Sequence, residues 1–172
     1  MHAAALDFDT VYERGSVHPD IVTVPAAWAI AEQTGASGQA FLTAVALGNE
    51  IACRLGAANL HNKGWFYTAA HGVFGAAAAA AKLLDLDAEG ISNALGLALS
   101  RAGGSQQALV EKSLAKRAQS GFAAEAGVFA AQLAARCFSG ASEAIEGKFG
   151  YFALYGEGDA EVMIQGLGRD FE

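Results

Sequence analysis

The sequence predicts an all-α fold, a compact helical domain over residues 1–172 that is rich in Ala/Gly helices. Alanine occupies 40 of the 172 positions and glycine another 21. Valine and isoleucine together number only 15 and proline 2, which is poor material for a β-sheet. With 53% hydrophobic and 17% charged residues, disorder is excluded. Because helices rich in small residues can approach closely, we expect some of them to be enclosed on all sides.

Two helices are predicted in the first third of the chain. Thr23 can cap the first, with Pro25 in its first turn, and Thr34 followed by Gly35 ends it. Ser37 then caps a longer helix. Its inward face is predicted to carry Phe41, Val45, Ala52, Leu55 and Leu60.

Glu50 precedes Arg54 by four residues on this second helix, a spacing typical of an ion pair on a helix surface. A functional role for that pair is the alternative.

Two more helices follow. A third helix runs from about Thr68 to Leu84 through the alanine block at 76–81. Asp87 caps a fourth, which glycines 103 and 104 interrupt. Its apolar positions are Ile91, Leu95 and Leu99.

The last part of the chain has one clear helical stripe. Residues 106–120 are less periodic and gather charge, whereas residues 121–137 alternate at helical spacing. The predicted inward stripe is Phe122, Ala126, Phe129, Leu133 and Cys137. A short helix is expected at 141–146, followed by the aromatic segment 149–152.

Charge and composition narrow the possible partners. A formal net charge of -7 and a pI near 5.0 argue against nucleic acid, because there is no basic stripe to displace counterions from phosphate. The longest uncharged run, residues 64–81, predicts a buried helix with its approach loop and no membrane span. No basic region of a signal peptide is present at the start. Cys53 and Cys137 lack metal-ligand spacing, so we interpret both as small buried residues of a cytoplasmic protein.

The segment before the first helix contains candidate acid/base residues. Asp7, Asp9 and His18 occur within twelve residues. A carboxylate can fix the tautomer of an imidazole and raise its basicity, so such a group can transfer protons. The alternative is that the carboxylates cap helices and His18 is a surface residue before Pro19.

Two further groups were weighed in the same way. Lys112, Lys116 and Arg117 precede the predicted helix at Gly121, whose free N–H groups would favour an anion, although a solvated turn has the same composition. Aromatic residues 65–67 with His71 more often close a core than line a pocket. The sequence contains no P-loop, dinucleotide, serine-hydrolase or zinc motif, so we predict no cofactor and no metal.

A series of segments carries a family resemblance. Residues 5–9 read Ala-Leu-Asp-Phe-Asp, residues 18–19 His-Pro, and residues 50–56 Glu-Ile-Ala-Cys-Arg-Leu-Gly. Further matching segments are residues 35–38, 72–84, 94–96, 116–117, 121–124 and 146–150. In this order, without large gaps and over nearly the whole chain, they closely resemble the MmgE/PrpD family. That family includes 2-methylcitrate dehydratase, cis-aconitate decarboxylase and iminodisuccinate epimerase.

The resemblance implies an all-helical domain that the family pairs with an α/β lid, in a cofactor-free homodimer with its active site between the domains. It also implies proton abstraction beside a carboxylate of a small di- or tricarboxylic acid, followed by dehydration, decarboxylation or epimerisation. Mapped by position, Asp7 would orient, His18 would act as acid or base, and Lys116 would bind or protonate the substrate. Further substrate contacts are expected from Thr10, Tyr67 and Arg117.

Several positions depart from the family pattern. The decarboxylase and dehydratase branches have a second His at Phe66 and a Pro at Tyr67, and a further family His is here Gln119. His71 lies five residues beyond Phe66 and would project in another direction, so it is not assumed to replace the missing imidazole. The family's second Asp and its Thr are replaced by Thr10 and Val11.

Family members are much longer, so we expect Met1 to be an internal start or a fragment boundary, with part of the helical domain and the whole lid missing. The first hypothesis is a lyase or isomerase acting on a small polycarboxylate. The second is a truncated, non-catalytic oligomeric subunit, and the third a carboxylate-binding module without chemistry. In each case, surfaces that the missing parts would cover are expected to be exposed or used for self-association.

Overall fold

The computed structural model describes residues 1–61 and 63–172, and its regular structure is helical. A short 3₁₀ turn, His2–Ala4, precedes eight helices in this part of the chain. They are α1 Asp20–Thr34, α2 Gly38–Ala58, α3 Tyr67–Leu83, α4 Ala88–Leu99, α5 Gln107–Val110, α6 Ala115–Ala134, α7 Tyr151–Tyr155 and α8 Ala160–Ile164. The described residues form isolated β-bridges but no strand, so the all-α prediction is confirmed.

Helix α3 is the centre of the bundle. Helices α1, α2, α4 and α6 pack around it, and every residue from Tyr67 to Ala81 is buried. A helix can be surrounded in this way only if its side chains are small enough for neighbours to approach from all directions. The alanine block at 76–81 meets that condition, which confirms the expectation of an enclosed helix.

The helices touch through their backbones at glycine positions. A Cβ added to Gly48 of α2 would lie 2.6 Å from the Gly75 carbonyl oxygen of α3, and one added to Gly75 would lie 3.2 Å from Cβ of Ala52. On the other side of α3, a Cβ at Gly127 of α6 would lie 2.8 Å from the Val73 carbonyl oxygen. Glycine is therefore required at these contacts for its size.

Neighbouring residues also reveal the helix directions. Along α1 and α3, the amide of His18 bonds the Thr68 hydroxyl and Val22 lies against Gly72, so these helices run parallel. Helix α6 runs the same way, since a pocket near its start is lined by Ala69 of α3 while its later Gly127 lies against Val73.

Helix α2 runs opposite to α3, because Gly48 lies near Ala79 and Ala52 near Gly75. The N-terminal ends of α1, α3 and α6 therefore lie at the same end of the bundle as the C-terminal end of α2. We call this the upper end, defined by residues 18–20, 66–68, 115–117 and 56–58.

Two predicted helix starts were wrong. Helix α1 begins at Asp20, before Thr23, because the amides of Val22 and Thr23 already bond the Pro19 carbonyl at 3.1 and 3.0 Å. Helix α6 begins at Ala115, before Gly121. The Ser113 hydroxyl accepts from the Ala115 amide at 3.2 Å and starts the helix earlier than the charge pattern indicated.

The helix predicted at 141–146 is also absent, and the structure has turns there. The chain enters this segment tightly packed on α4: the Gly140 amide donates to Asn93 Oδ1 at 3.0 Å. A Cβ at Gly96 would lie 2.5 Å from the Ala141 carbonyl oxygen. We attribute the irregular backbone to this close contact.

The inward stripe predicted for α6 was wrong at Phe122, Phe129 and Cys137, whereas Ala126 is buried as predicted. The side chains of Phe122 and Phe129 are 62% and 49% exposed, and Cys137 is exposed beyond the helix end. The buried face of α6 instead carries Ala123, Ala124, Ala126, Gly127, Ala130, Ala131 and Ala134. Where two helices approach as closely as α3 and α6, small residues occupy the interface and large apolar residues are displaced outwards.

Three side chains near α2 also differ from expectation. The Glu50–Arg54 pair, predicted on the surface, is buried. The end of α8 and the residues that follow it cover the pair. Leu60, predicted to face inward, is exposed beyond the end of α2 at Ala58. Cys53 is a buried free thiol as expected, and burial raises its pKa to about 12.

None of the helices in residues 1–61 and 63–172 is both long and apolar enough to span a bilayer.

The glycine contacts predict a large difference between two alanine substitutions. Gly75→Ala should lower the free energy of unfolding by about 3 kcal/mol, because the new methyl group would force α3 away from the backbone of α2. Gly38→Ala is the matched control: a Cβ there meets nothing within 4 Å, and it should change stability by less than about 1 kcal/mol. Urea denaturation measures both, and equal effects would contradict this account of the packing.

Candidate active site

Asp7 forms an ion-pair cluster with the first turn of α6. Its Oδ1 accepts hydrogen bonds from Lys116 Nζ and from Arg117 Nη1, the latter at 2.7 Å. Arg117 Nη1 also donates to the carbonyl oxygen of Ala4 at 2.8 Å, which ties the N-terminal turn to the same helix. The Lys116 bond, followed by that of Arg117, lowers the pKa of the Asp7 carboxyl below its usual value. Asp7 is therefore held ionised between two cations.

The three charged groups remain open to solvent. The side chains of Asp7, Lys116 and Arg117 are 46%, 25% and 29% exposed. Two cations at a helix N-terminus oppose the helix dipole, so a nearby negative charge is favourable there. Asp7 supplies that charge from a separate segment, with its backbone in the left-handed region at φ +57°.

His18 lies half-buried just before α1, and its ring is fixed by a backbone acceptor. Nδ1 lies 2.7 Å from the carbonyl oxygen of Thr10. Since a carbonyl can only accept, Nδ1 must carry the proton, which leaves Nε2 of the neutral ring as the basic nitrogen. The His18 amide donates to Thr68 Oγ1 at 3.2 Å, and Thr68 is buried in the first turn of α3.

Tyr67 is buried and its hydroxyl is engaged. The hydroxyl donates to the His61 carbonyl oxygen at 2.5 Å, and burial raises the Tyr67 pKa. The ring lies 4.6 Å, between centroids, from that of His71. A substrate could bond this hydroxyl only as a second partner.

His71 belongs to the core. It is fully buried on α3, its Nε2 is 3.5 Å from Asn59 Nδ2, and its ring meets that of Tyr151 edge-on. Desolvation lowers its pKa to about 3, so the imidazole is neutral at physiological pH. The structure thus agrees with the view that His71 does not take the place of an imidazole at Phe66.

The two family histidine positions hold structural residues here. Phe66 is buried, and its amide donates to the Gly104 carbonyl at 3.0 Å. Gln119 makes two hydrogen bonds to the backbone of Ser105, the residue after Gly104. Its Oε1 accepts from the Ser105 amide at 2.5 Å, and its Nε2 donates to the Ser105 carbonyl at 3.2 Å. The main chain of Phe66 and the side chain of Gln119 therefore hold the loop at 103–105 against α3 and α6.

The structure brings the predicted residues together in part. Asp7, Lys116 and Arg117 form one cluster, and Thr10 and His18 form a second through the Thr10 backbone. In residues 1–61 and 63–172, no hydrogen bond or ion pair joins these clusters to each other or to Tyr67. They nevertheless share the upper end of the bundle, where α1, α3 and α6 begin.

Sequence reasoning missed Thr68 as a support for His18. The sequence contained one signal for this contact. A residue with a hydroxyl group in the first turn of a buried helix needs a polar partner there.

Two cavities lie near α6. A small one of about 180 Å³ lies between the starts of α3 and α6 and is lined by Ala69, Arg101 and Gln119, among others. A larger groove of about 540 Å³ between α1 and α6 is lined by Pro25, Phe129 and their neighbours, without any of the six predicted site residues. We therefore centre the candidate site at the upper end, where the charged groups are, and not at the larger groove. Within the described residues, no group of three or more His, Cys, Asp or Glu side chains is placed to hold a metal ion.

Comparison with known proteins gives one family match and a set of similar sequences. The model of the MmgE/PrpD N-terminal domain matches residues 1–163. The chain is 32% identical to a cis-aconitate decarboxylase-like protein of Aspergillus oryzae, over 96% of this chain and 35% of that protein. It is 28% identical to a cis-aconitate decarboxylase of Aspergillus terreus, over 95% of this chain and 37% of that protein. The chain thus spans about a third of the length of the curated relatives it matches.

Burial of His71 predicts a loss of stability in acid. The unfolded chain binds a proton at the ordinary histidine pKa of 6.5, whereas the folded chain does so only near pH 3. The contribution of His71 to the free energy of unfolding is fully present above pH 6.5. It falls as the pH is lowered towards 3, by up to about 4 to 5 kcal/mol. Urea denaturation at several pH values measures it.

The matched variants are His71→Phe and His61→Gln. His71→Phe should flatten the pH dependence between 6.5 and 3, while His61→Gln, at an exposed side chain, should leave it unchanged. An undiminished slope in His71→Phe would show that another group causes the acid sensitivity.

Proposed function

This chain belongs to the MmgE/PrpD family, and on that premise we propose that it acts on a small di- or tricarboxylic acid as a lyase or isomerase. The reaction would begin with proton abstraction beside a substrate carboxylate. The observation that carries the proposal is that two cations, Lys116 and Arg117, lie at the same end of the bundle as His18, whose tautomer is fixed by a hydrogen bond.

The upper end suits a polyanion. Helices α1, α3 and α6 all begin there, so the N-terminal ends of three helices lie at this end. The positive ends of the helix dipoles favour bound carboxylates. Lys116 and Arg117 add full positive charges at the start of α6. A substrate with several carboxylates would therefore find several complementary sites.

Arg117 is suited to hold one of those carboxylates. Its bonds to Asp7 and Ala4 both use Nη1. Among the described residues, its Nη2 and Nε edge is left for a second acceptor, and a guanidinium binds a carboxylate best with two parallel bonds. Asp7 would then orient both cations while the substrate binds beside it.

His18 would act as the base through Nε2. The proton would pass from the carbon beside the carboxylate to Nε2, and the electron pair of that C–H bond would move into the carboxylate, which Lys116 stabilises. In a dehydration, this electron pair would then form a C=C bond as the C–O bond of a hydroxyl on the neighbouring carbon breaks, and the hydroxyl would leave as water with the proton of the imidazolium. In an epimerisation, Lys116 would instead reprotonate the carbon from the other face. In a decarboxylation the carbon instead gains a proton as carbon dioxide leaves.

The absence of an imidazole at the two positions where the family resemblance implies one favours chemistry with one histidine and one lysine. Phe66 and Gln119 occupy the family positions, and His71 is buried and neutral. Dehydration and epimerisation need one base and one acid, roles that His18 and Lys116 can fill. We therefore place isomerisation and dehydration ahead of decarboxylation for this chain.

A second candidate is a helical subunit without turnover of its own, working as a homodimer or with another protein chain. Exposure of the site favours it, since Leu6, Phe8 and Leu114, next to the charged cluster in sequence, are 88%, 97% and 84% exposed. Apolar surface around an open charged site is typical of a surface that another polypeptide covers. A non-catalytic carboxylate-binding module would have the same appearance.

The proposal predicts C–H exchange with solvent. The protein is incubated in deuterated water with citrate, 2-methylcitrate, cis-aconitate or iminodisuccinate, and deuterium incorporation is followed by NMR. His18→Gln should slow exchange by about 100-fold or more, as expected when a general base is removed. Lys116→Gln should weaken substrate binding by about tenfold or more, measured by calorimetry.

The controls are His61→Gln and Lys82→Gln, which change an exposed imidazole and an exposed ammonium outside the cluster. Both should behave like the wild type. Binding without exchange in the wild type would favour the carboxylate-binding module. Neither binding nor exchange would favour the non-catalytic subunit.

A further inference from the structure

We propose that Arg54 is a positioning residue for His18, acting through residues 163–172, which we call the clasp. This inference rests on the base role proposed for His18. It concerns how a buried charge on α2 holds the loop that presents the imidazole, and it follows from a continuous series of contacts.

The first step joins Arg54 to the clasp. Arg54 is only 2% exposed; its Nη1 donates to the carbonyl oxygens of Met163 at 3.0 Å and Gln165 at 2.7 Å, and its Nη2 donates to that of Asp170. Its Nε bonds Glu50 Oε1. A buried guanidinium is stable only when its donors are satisfied, and the clasp supplies three of the acceptors.

The clasp is shaped to present those carbonyls. Gly166 and Gly168 adopt left-handed backbone angles, φ +67° and +78°, which side-chain-bearing residues rarely tolerate. The amides of Arg169 and Asp170 both donate to the Gly166 carbonyl at 2.9 Å. These turns curl the backbone around Arg54, so the guanidinium and the clasp conformation depend on each other.

The second step joins the clasp to the loop before His18. The Glu172 amide donates to Glu50 Oε2 at 2.9 Å, which holds the clasp to the acid that pairs with Arg54. The Glu172 carboxylate accepts from Arg14 Nη1 at 2.9 Å and from the Tyr12 hydroxyl. Burial, and next the bond to Glu172, raise the Tyr12 pKa to about 12, so the phenol stays protonated as the donor.

The third step joins that loop to His18. Tyr12 and Val17 exchange backbone hydrogen bonds of 2.8 and 3.2 Å, which closes a short hairpin. His18 follows Val17 directly, and the carbonyl of Thr10 that holds its Nδ1 lies two residues before Tyr12. A movement of the hairpin would therefore shift both the backbone of His18 and the acceptor that fixes its tautomer.

Helix α2 also contacts this hairpin directly. A Cβ on Gly15, within the hairpin, would lie 2.8 Å from Cα of Gly56, two residues after Arg54. The hairpin is thus caught between α2 on one side and Glu172 on the other. Loss of the clasp would remove one of these two supports.

The test compares Arg54→Lys with the wild type in the absence of substrate. Lysine keeps the charge but cannot donate in several directions as the guanidinium does. The ¹⁵N shifts of the His18 ring report its tautomer, and amide hydrogen exchange reports the Tyr12–Val17 hairpin. We expect exchange at the Tyr12 and Val17 amides to rise about tenfold, and the Nδ1-protonated tautomer to lose population.

Glu172→Gln is the second variant, for the case in which Arg54→Lys does not fold. It leaves the buried pair intact and weakens only the bonds from the clasp to Tyr12 and Arg14. The same two readouts should move in the same direction. Arg136→Lys and Glu89→Gln, at exposed positions after α6 and on α4, are the matched controls and should match the wild type.

The inference is overturned if the clasp amides exchange faster while the hairpin amides and the His18 tautomer stay as in the wild type. Both readouts are taken without substrate. A wild type that gives no C–H exchange would count against the proposed function, whereas unchanged ring shifts in the variants would count against the positioning role.

Discussion

The close approach of helix backbones around α3 is the constraint on which the rest of this structure depends. Gly48 against Gly75 and Gly127 against Val73 leave no space for a Cβ at these glycines, so the helices touch at main-chain distance. Every residue of α3 from Tyr67 to Ala81 is buried as a result. Alanine buries little apolar area per residue, and the bundle compensates by enclosing one helix on all sides.

Among the described residues, few polar side chains lie in the interior of this tightly packed bundle. Arg54 and Glu50 are buried on α2 under the clasp, and His71 is buried neutral among aromatic rings. An unpaired charge there would be costly, because a charged group loses its hydration on burial. The buried ion pair therefore fixes the path of the chain after α8, and the imidazole makes folding sensitive to acid.

The same helix arrangement creates the candidate site. Because α1, α3 and α6 run parallel, His18, Tyr67 and Lys116 all reach the upper end, although they are far apart in sequence. Lys116 and Arg117 lie at this end, in the first turn of α6, and Asp7 pairs with both cations. Acid/base groups beside two cations suit proton transfer next to a carboxylate, whereas the larger groove between α1 and α6 contains none of the six predicted site residues.

The sequence by itself determined the all-α class, the buried alanine helix and the family, because composition and local motifs do not depend on how helices are arranged. It also predicted a set of candidate site residues, through position-by-position resemblance. Only the tertiary structure decided which faces are inside: Phe122 and Phe129 were predicted to be buried, but at main-chain distance the interface selects small residues over apolar ones. Likewise, a helix-spaced Glu50–Arg54 pair is indistinguishable in sequence from a surface pair. Residues more than a hundred positions later cover it, and no local pattern can contain that information.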